Sequence, residues 1–282
     1  MTRALVLGGG GIAGIAWETG LLHGLSESGV DILDADRFIG TSAGSTVGAQ
    51  ITSGTALAEL FRRQVDPALQ TPEIAANIDA EEIAEMFGAA VSAATDARDA
   101  RRRIGEMALA AQTVPEAERL KVIEARLPVH DWPAAPLQIV AVDAATGDDR
   151  VFTAESGVSL VDAVAASCAV PGTWPPVTIG DRRYVDGGVR SMENADLAAG
   201  CDRVLVLRVT EVPGITDLDD QVAALRQDGA EVLVIAPDES AIEAIGPNVL
   251  DPTVREAAAR AGYDQALRAA AEVKALWGER RA

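Results

Sequence analysis

Ser42 stands in Gly40-Thr41-Ser42-Ala43-Gly44, and Asp186 opens Asp186-Gly187-Gly188. A hydroxyl and a carboxylate set among small residues can serve as a nucleophile and its base. Gly40 and Gly44, two residues to either side of the serine, leave room for a sharp turn from a strand into a helix with Ser42 at its tip. A helix opening at Ala43 would aim free N–H groups and a partial positive charge at that hydroxyl, favouring an alkoxide or a developing oxyanion. The usual base for a serine is histidine, and this chain has two, His23 and His130. His23 falls in the first helical stretch, where packing accounts for it, and His130 stands beside Asp131 in a loop. Neither follows Asp186, so the chain order Ser, Asp, His is not available. Asp186 is the candidate base. Its ordinary pKa of about 3.9 makes it feeble in water, and burial among apolar groups would raise it to a useful value.

A second glycine cluster, Gly8-Gly9-Gly10-Gly11-Ile12-Ala13-Gly14, lies between an apolar run and a helical pattern. Such a loop offers backbone N–H groups to an anion. Gly9, Gly11 and Gly14 also satisfy GxGxxG, and with Asp31 or Asp34 about 20 residues on as a ribose-binding acid they admit a dinucleotide-binding oxidoreductase. In a hydrolase the same amides would hold the oxyanion of a tetrahedral intermediate. The next strand separates the two readings. It passes through Arg37-Phe38-Ile39 directly into the Ser42 turn, where a dinucleotide fold would end it in an acid.

The elements that must position these residues follow an α/β pattern. Ala4–Leu7 reads as a buried strand, 15–25 as a helix, Arg37–Ile39 as a strand and 43–54 as the helix behind Ser42. From 55 to about 130 the pattern is helical, with Asp79 and Glu82 starting one helix that runs to Ala94 and Pro115 opening another. This region is expected as a helical layer or lid. Arg98, Arg101, Arg102 and Arg103, interleaved with Asp96 and Asp99, read as a solvated helix face. Strands at 136–143 and 150–153 follow, then a helix capped by Ser159, then a hairpin of 177–179 and 182–185 that delivers Asp186. Arg203–Val209 and Glu231–Ala236 read as two more buried strands, with a helix at 218–227 between them. A closing helix spans about 252–276, with Gly262 as a point of bending.

At 282 residues, 48% apolar and only 4% aromatic, the chain can bury a sizeable core of Ala, Val, Ile and Leu as a single domain. A formal charge of −19 excludes nucleic acid as a partner and a broad basic face for anionic membranes. Cys168 and Cys201 lack the spacing of a zinc site or a redox pair. No run reaches the roughly 18 apolar residues of a membrane span, so the expectation is a cytoplasmic protein that meets a membrane surface at most transiently.

The glycine loop, the Ser42 turn and the Asp186 turn, in that order, resemble the motifs of the patatin-like phospholipase family, as does Ala166–Val177 ahead of the aspartate. The resemblance covers about residues 4 to 210. It implies a three-layer α/β/α sandwich with a mostly parallel central sheet, and a serine lipid acyl hydrolase that uses no metal or cofactor. Ser42 would attack the ester carbonyl, Asp186 would accept its proton, and the backbone of Gly9, Gly10, Gly11 and Ile12 would form the oxyanion hole. Gly14, Gly40, Gly44, Gly187 and Gly188 would shape the turns. The substrate would be a lipid or a small acyl ester. Members of the family often carry Arg or Lys where this chain has Ala13, which shifts the expectation from phospholipid headgroups toward neutral lipids, lysolipids or small esters. Trp174, Trp132 and Phe87 are candidates for an apolar rim, with packing as the plainer role of each. The competing readings are the oxidoreductase and a catalytically silent protein of the same fold that binds an acyl ligand or a partner.

Overall fold

Continuous apolar runs, rather than alternating ones, mark strands covered on both faces, and the chain places them at the centre of its fold. The computed structural model describes residues 1–76, 87–210 and 217–278. Its strands are β1 (Arg3–Leu7), β2 (Arg37–Thr41), β3 (Leu137–Asp143), β4 (Asp149–Phe152), β5 (Val177–Ile179), β6 (Arg182–Asp186), β7 (Arg203–Leu207) and β8 (Glu231–Ile235). Among the described residues they form one eight-stranded sheet in the order β5-β6-β3-β2-β1-β7-β8, with β4 also paired to β3. The run from β3 to β8 is parallel, and β4, β5 and β6 join antiparallel.

Alternate side chains of the central strands enter separate cores. Leu5 and Leu7 of β1 and Ile139 and Ala141 of β3 face one layer. Ala4 and Val6 of β1 and Val140 of β3 face the other. The first layer holds α1 (Gly11–Glu27), α2 (Ala43–Ile51), α3 (Leu57–Val65), and residues from further along the chain that include Ile123, Ala163 and Ala266. The opposite layer includes residues of 195–198 and of the helix at 217–227. The helices α4 (Ala97–Ala110), α5 (Glu116–Arg126), α6 (Leu160–Ser167), α7 (Asp217–Gln227), α8 (Glu239–Ile245) and α9 (Arg255–Trp277) complete the framework.

The helical stretch expected over 55–130 is shared between the two faces. Ile123 of α5 joins the α1 side, while Ala108 of α4 packs on Val142 and Val185 of the opposite face. The helix start expected at Asp79 and Glu82 lies outside the described residues. The arginines of α4 are committed locally. Arg102 and Arg103 both bind Asp99, Arg98 pairs with Asp148, and Arg101 donates to the Gly147 carbonyl.

Two expectations need correction. β8 is only half buried, because it is the last strand in the sheet order and is covered less than β7. Gly262 is not a bend, since α9 runs unbroken through it. It is a crossing point: a Cβ on Gly262 would lie 2.3 Å from the Trp17 carbonyl oxygen, and one on Gly20 would lie 2.0 Å from that of Ala259. Small residues let α1 and α9 approach closely, and Trp17 Nε1 then donates to Gln265 Oε1 at 3.0 Å across the same contact.

Candidate active site

The turn from β2 into α2 places Ser42 at φ 51°, ψ −113°, a conformation that side chains rarely adopt. The neighbours enforce it. The Ser42 N–H donates to Ser167 Oγ at 2.9 Å, and its carbonyl accepts from Ser45 Oγ at 2.7 Å and Cys168 Sγ at 3.2 Å. The flanking glycines are required by space: a Cβ on Gly44 would sit 2.0 Å from the Leu7 carbonyl oxygen, and one on Gly40 would sit 2.6 Å from that of Gly44. The Ser42 side chain makes no capping bond to α2, so its oxygen stays available.

β3 brings the second group to the first. Its Val140 pairs with Thr41, the residue before Ser42, and its next residue, Ala141, pairs with Asp186. Two neighbouring positions on one strand therefore hold the ends of β2 and β6, and Ser42 and Asp186 line one cavity of about 180 Å³. Asp186 Oδ1 accepts from Gly188 N at 2.8 Å, while among the described residues nothing, Ser42 included, donates a hydrogen bond to Oδ2. Burial pushes this carboxyl up to about 7, against smaller lowering effects of the Gly188 N–H and the Ser42 hydroxyl. Gly187 cannot carry a side chain, since a Cβ there would lie 2.3 Å from the Val140 carbonyl oxygen.

The glycine loop completes the cavity wall through Gly10 and Gly11. Gly9 departs from its expected role: its N–H donates to the Met192 carbonyl at 2.8 Å and is not free for an oxyanion. At the start of α1, the N–H of Ala13 is spent on the Val249 carbonyl and that of Gly14 on the Gly10 carbonyl. Gly11 and Ile12, in the first turn, have no acceptor within the helix. Gly11 and Ile12 line a smaller adjoining pocket that Ser42 also lines.

Asp34, one of the acids that dinucleotide binding would use, is engaged by Arg3 and by Trp277 Nε1, the latter at 2.8 Å. His23 packs between the rings of Phe61 and Tyr263, with centroids 4.9 and 5.5 Å away, and His130 meets the Glu124 carbonyl; neither lines the cavity. Of the expected rim aromatics, Phe87 lines the main cavity. Trp132 is tied to the Val158 carbonyl at 2.7 Å, and Trp174 is buried under the Arg119 guanidinium.

Several supporting residues escape a sequence reading. Asn194, at φ 56°, donates from Nδ2 to Thr41 Oγ1 at 2.9 Å and to the Ser191 carbonyl at 2.7 Å, tying the end of β2 to the segment behind Asp186. Its only signal in the chain is that asparagine tolerates a left-handed conformation. Glu18 and Glu193 are buried carboxyls near Gly8; burial raises both, Glu193 to about 7, and the charge of Glu193 pushes Glu18 further up. Glu73 is surrounded by Arg119 and Arg126 of α5 and by Arg255 at the start of α9.

Comparison with known proteins gives the family described as patatin-like phospholipase, matched over residues 5–199. No curated protein matches. Among solved structures, VipD from Legionella pneumophila is similar with a TM-score of 0.51 and 14% identity, over 96% of this chain and 67% of that one. The type III effector protein ExoU aligns with a TM-score of 0.38 and 17% identity, over 95% of this chain and 53% of that one. The chain thus spans about half the length of ExoU. At these identities the VipD likeness speaks for the fold.

Proposed function

The chain belongs to the patatin-like phospholipase family, and from that premise we propose that it is a serine lipid acyl hydrolase whose acyl-enzyme forms on Ser42 with Asp186 as base. The observation that carries this reading is a strained, uncapped serine and a carboxyl with a free Oδ2 in one apolar-walled cavity. Asp186 takes the Ser42 proton as the hydroxyl oxygen attacks the ester carbonyl carbon. The tetrahedral intermediate collapses with expulsion of the alcohol, which receives that proton. Water, deprotonated by Asp186, then attacks the acyl-enzyme, and the fatty acid leaves as Ser42 recovers its proton.

A base works best with a pKa near the working pH, and burial brings Asp186 there without a charged partner. The amides of Gly10, Gly11 and Ile12 support the reading as oxyanion donors, each worth roughly 100- to 1,000-fold in rate. Val170, Val249, Leu250 and Phe87 give the cavity an apolar wall suited to an acyl chain. Among the described residues no helix is long and apolar enough to cross a membrane, so contact with a lipid surface would be peripheral.

The test is peptide mapping after incubation with an alkyl fluorophosphonate. Stoichiometric adduct on Ser42 in the wild type, lost in Asp186→Asn, is the expected result. No adduct on folded wild type would reject the hydrolase reading.

A further inference from the structure

Beside the main cavity, and sharing Gly11, Ser42, Val170 and Leu250 with it, lies a lobe of about 10 Å³, room for roughly one water-sized group. Its wall is formed by Ser42, by Gly11 and Ile12 at the start of α1, by Ala43 at the start of α2, and by Arg119 and Arg126 of α5. Two helix N-termini and two arginines thus border a space that holds one oxygen atom, with Ile15, Val170, Trp174 and Leu250 closing it on the apolar side. That is an electrostatic environment for a single negative charge adjoining the nucleophile.

The two arginines are not equivalent. Arg126 is bound bidentately by Glu73, with Nε and Nη2 donating to its two carboxylate oxygens at 2.8 and 2.6 Å. Arg255 takes the same carboxylate from another side, at 2.5 Å. Arg119 is left over. Its Nη1 lies 3.6 Å from Glu73, beyond hydrogen-bond reach, and both Nε and Nη1 are buried with no hydrogen-bond partner among the described residues. Its side chain is only 6% exposed. Among the described residues, then, Glu73 is the one carboxylate acting on three buried cations. The guanidinium carbon of Arg119 sits 3.8 Å from the centre of the Trp174 ring. That stack satisfies the face of the guanidinium and fixes its plane, but the N–H groups point along its edge, where a ring offers nothing. Leaving buried donors of a charged group unpaired forfeits their hydration without return, and such groups call for an explanation.

Resting on the hydrolase reading above, we propose that Arg119 is a catalytic residue, a side-chain oxyanion donor whose guanidinium edge, with the amides of Gly11 and Ile12, receives the carbonyl oxygen of the substrate as it becomes negative. In the ground state the neutral carbonyl oxygen takes little from it. In the tetrahedral state the oxygen supplies the acceptor that Arg119 lacks, so the interaction strengthens as the barrier is climbed. Burial and the neighbouring Arg126 lower the Arg119 pKa to about 10, which leaves it cationic at neutral pH. The glycine loop itself carries no charged side chain, since the residue between Ile12 and Gly14 is Ala13. The positive charge at this oxyanion hole therefore comes from α5.

The experiment compares the second-order rate of Ser42 labelling by an alkyl fluorophosphonate in wild type, Arg119→Met and Arg119→Lys, since the phosphonyl oxygen gains the same negative charge as an ester carbonyl. Labelling about 100-fold slower in Arg119→Met, with at least ten-fold recovered in Arg119→Lys, is expected. Hydrolysis of a p-nitrophenyl acyl ester should show the Arg119→Met loss in kcat rather than in KM. Folded Arg119→Met that labels within three-fold of wild type overturns the assignment. So does a loss that Lys does not relieve, or failure of both variants to fold, because each identifies Arg119 as structural. Absence of labelling in the wild type would strike the hydrolase reading itself, which keeps the two failures apart.

Discussion

With Asp186 as the proposed base, activity and stability pull in opposite directions at this residue. Its carboxyl titrates near 7 in the folded chain, raised by burial, against an ordinary value of 3.8. As a base it must be ionised, so kcat/KM for a neutral ester should rise about ten-fold per pH unit below 7 and level off above 8. A flat profile from pH 5 to 8 would exclude Asp186 as the base. The stability sign is the reverse. A raised folded pKa means that the neutral form is the one the fold favours, so this contribution is complete below about 4 and is lost as pH rises toward 7. Asp186→Asn cannot ionise. It should be inactive yet melt higher than the wild type at pH 8, by up to roughly 4 kcal/mol in stability, with the gain gone at pH 4. Equal melting temperatures at pH 8 would show that the carboxyl is solvated.

At the scale of elements, the positions that depend on local chemistry were legible and those that depend on crossings were not. The strands around Ser42 and the hairpin before Asp186 follow from continuous apolar runs and glycine turns, and they occur where those signals stand. The β3 register that sets Thr41 beside Asp186 is a matter of long-range pairing, which no local pattern encodes. Asn194, Glu73 and Arg119 likewise act across more than forty residues of chain, so their neighbours in sequence say nothing of their partners. Gly262 shows the ambiguity well. A glycine inside a helix signals either weakness or close approach, and only the α1 crossing decides. The decision is testable by Gly→Ala, which gains about 1 kcal/mol of helix propensity where space allows. At Gly262 the new methyl would meet the Trp17 carbonyl at 2.3 Å, and overpacking of about 1–3 kcal/mol or more should outweigh that gain. At Gly88, within helical residues and with nothing inside 4 Å, the same change should stabilise by about 0.5–1 kcal/mol. Urea denaturation of the two variants should give shifts of opposite sign; shifts of the same sign would refute the close crossing.

Across the whole molecule, charge is arranged in two populations that titrate in opposite senses. Surface carboxylates such as Asp99, beside Arg102 and Arg103, and Asp238, beside Arg268, are held below the usual range by their partners and stabilise the fold until acid protonates them. Asp186, Glu18 and Glu193 are raised chiefly by burial, Glu18 further by Glu193, and Glu193 further by Asp217 and Asp219, with Arg208 opposing. They withdraw stability as pH climbs from about 4 toward 7 and above. The melting temperature should therefore peak near pH 5 and fall toward pH 8, across the interval in which Asp186, the proposed base, ionises. The net charge of −19 also destabilises at high pH through self-repulsion, and salt separates the two causes. Repulsion between exposed charges is screened within about 5 Å at 0.5 M salt, whereas buried carboxyls are screened far less. In 0.5 M NaCl the wild type should melt higher at pH 8 yet keep a downward slope from pH 5, and Glu193→Gln should reduce that slope. A slope that salt abolishes, or that Glu193→Gln leaves unchanged, would assign the effect to the surface and free the interior carboxyls of any part in it.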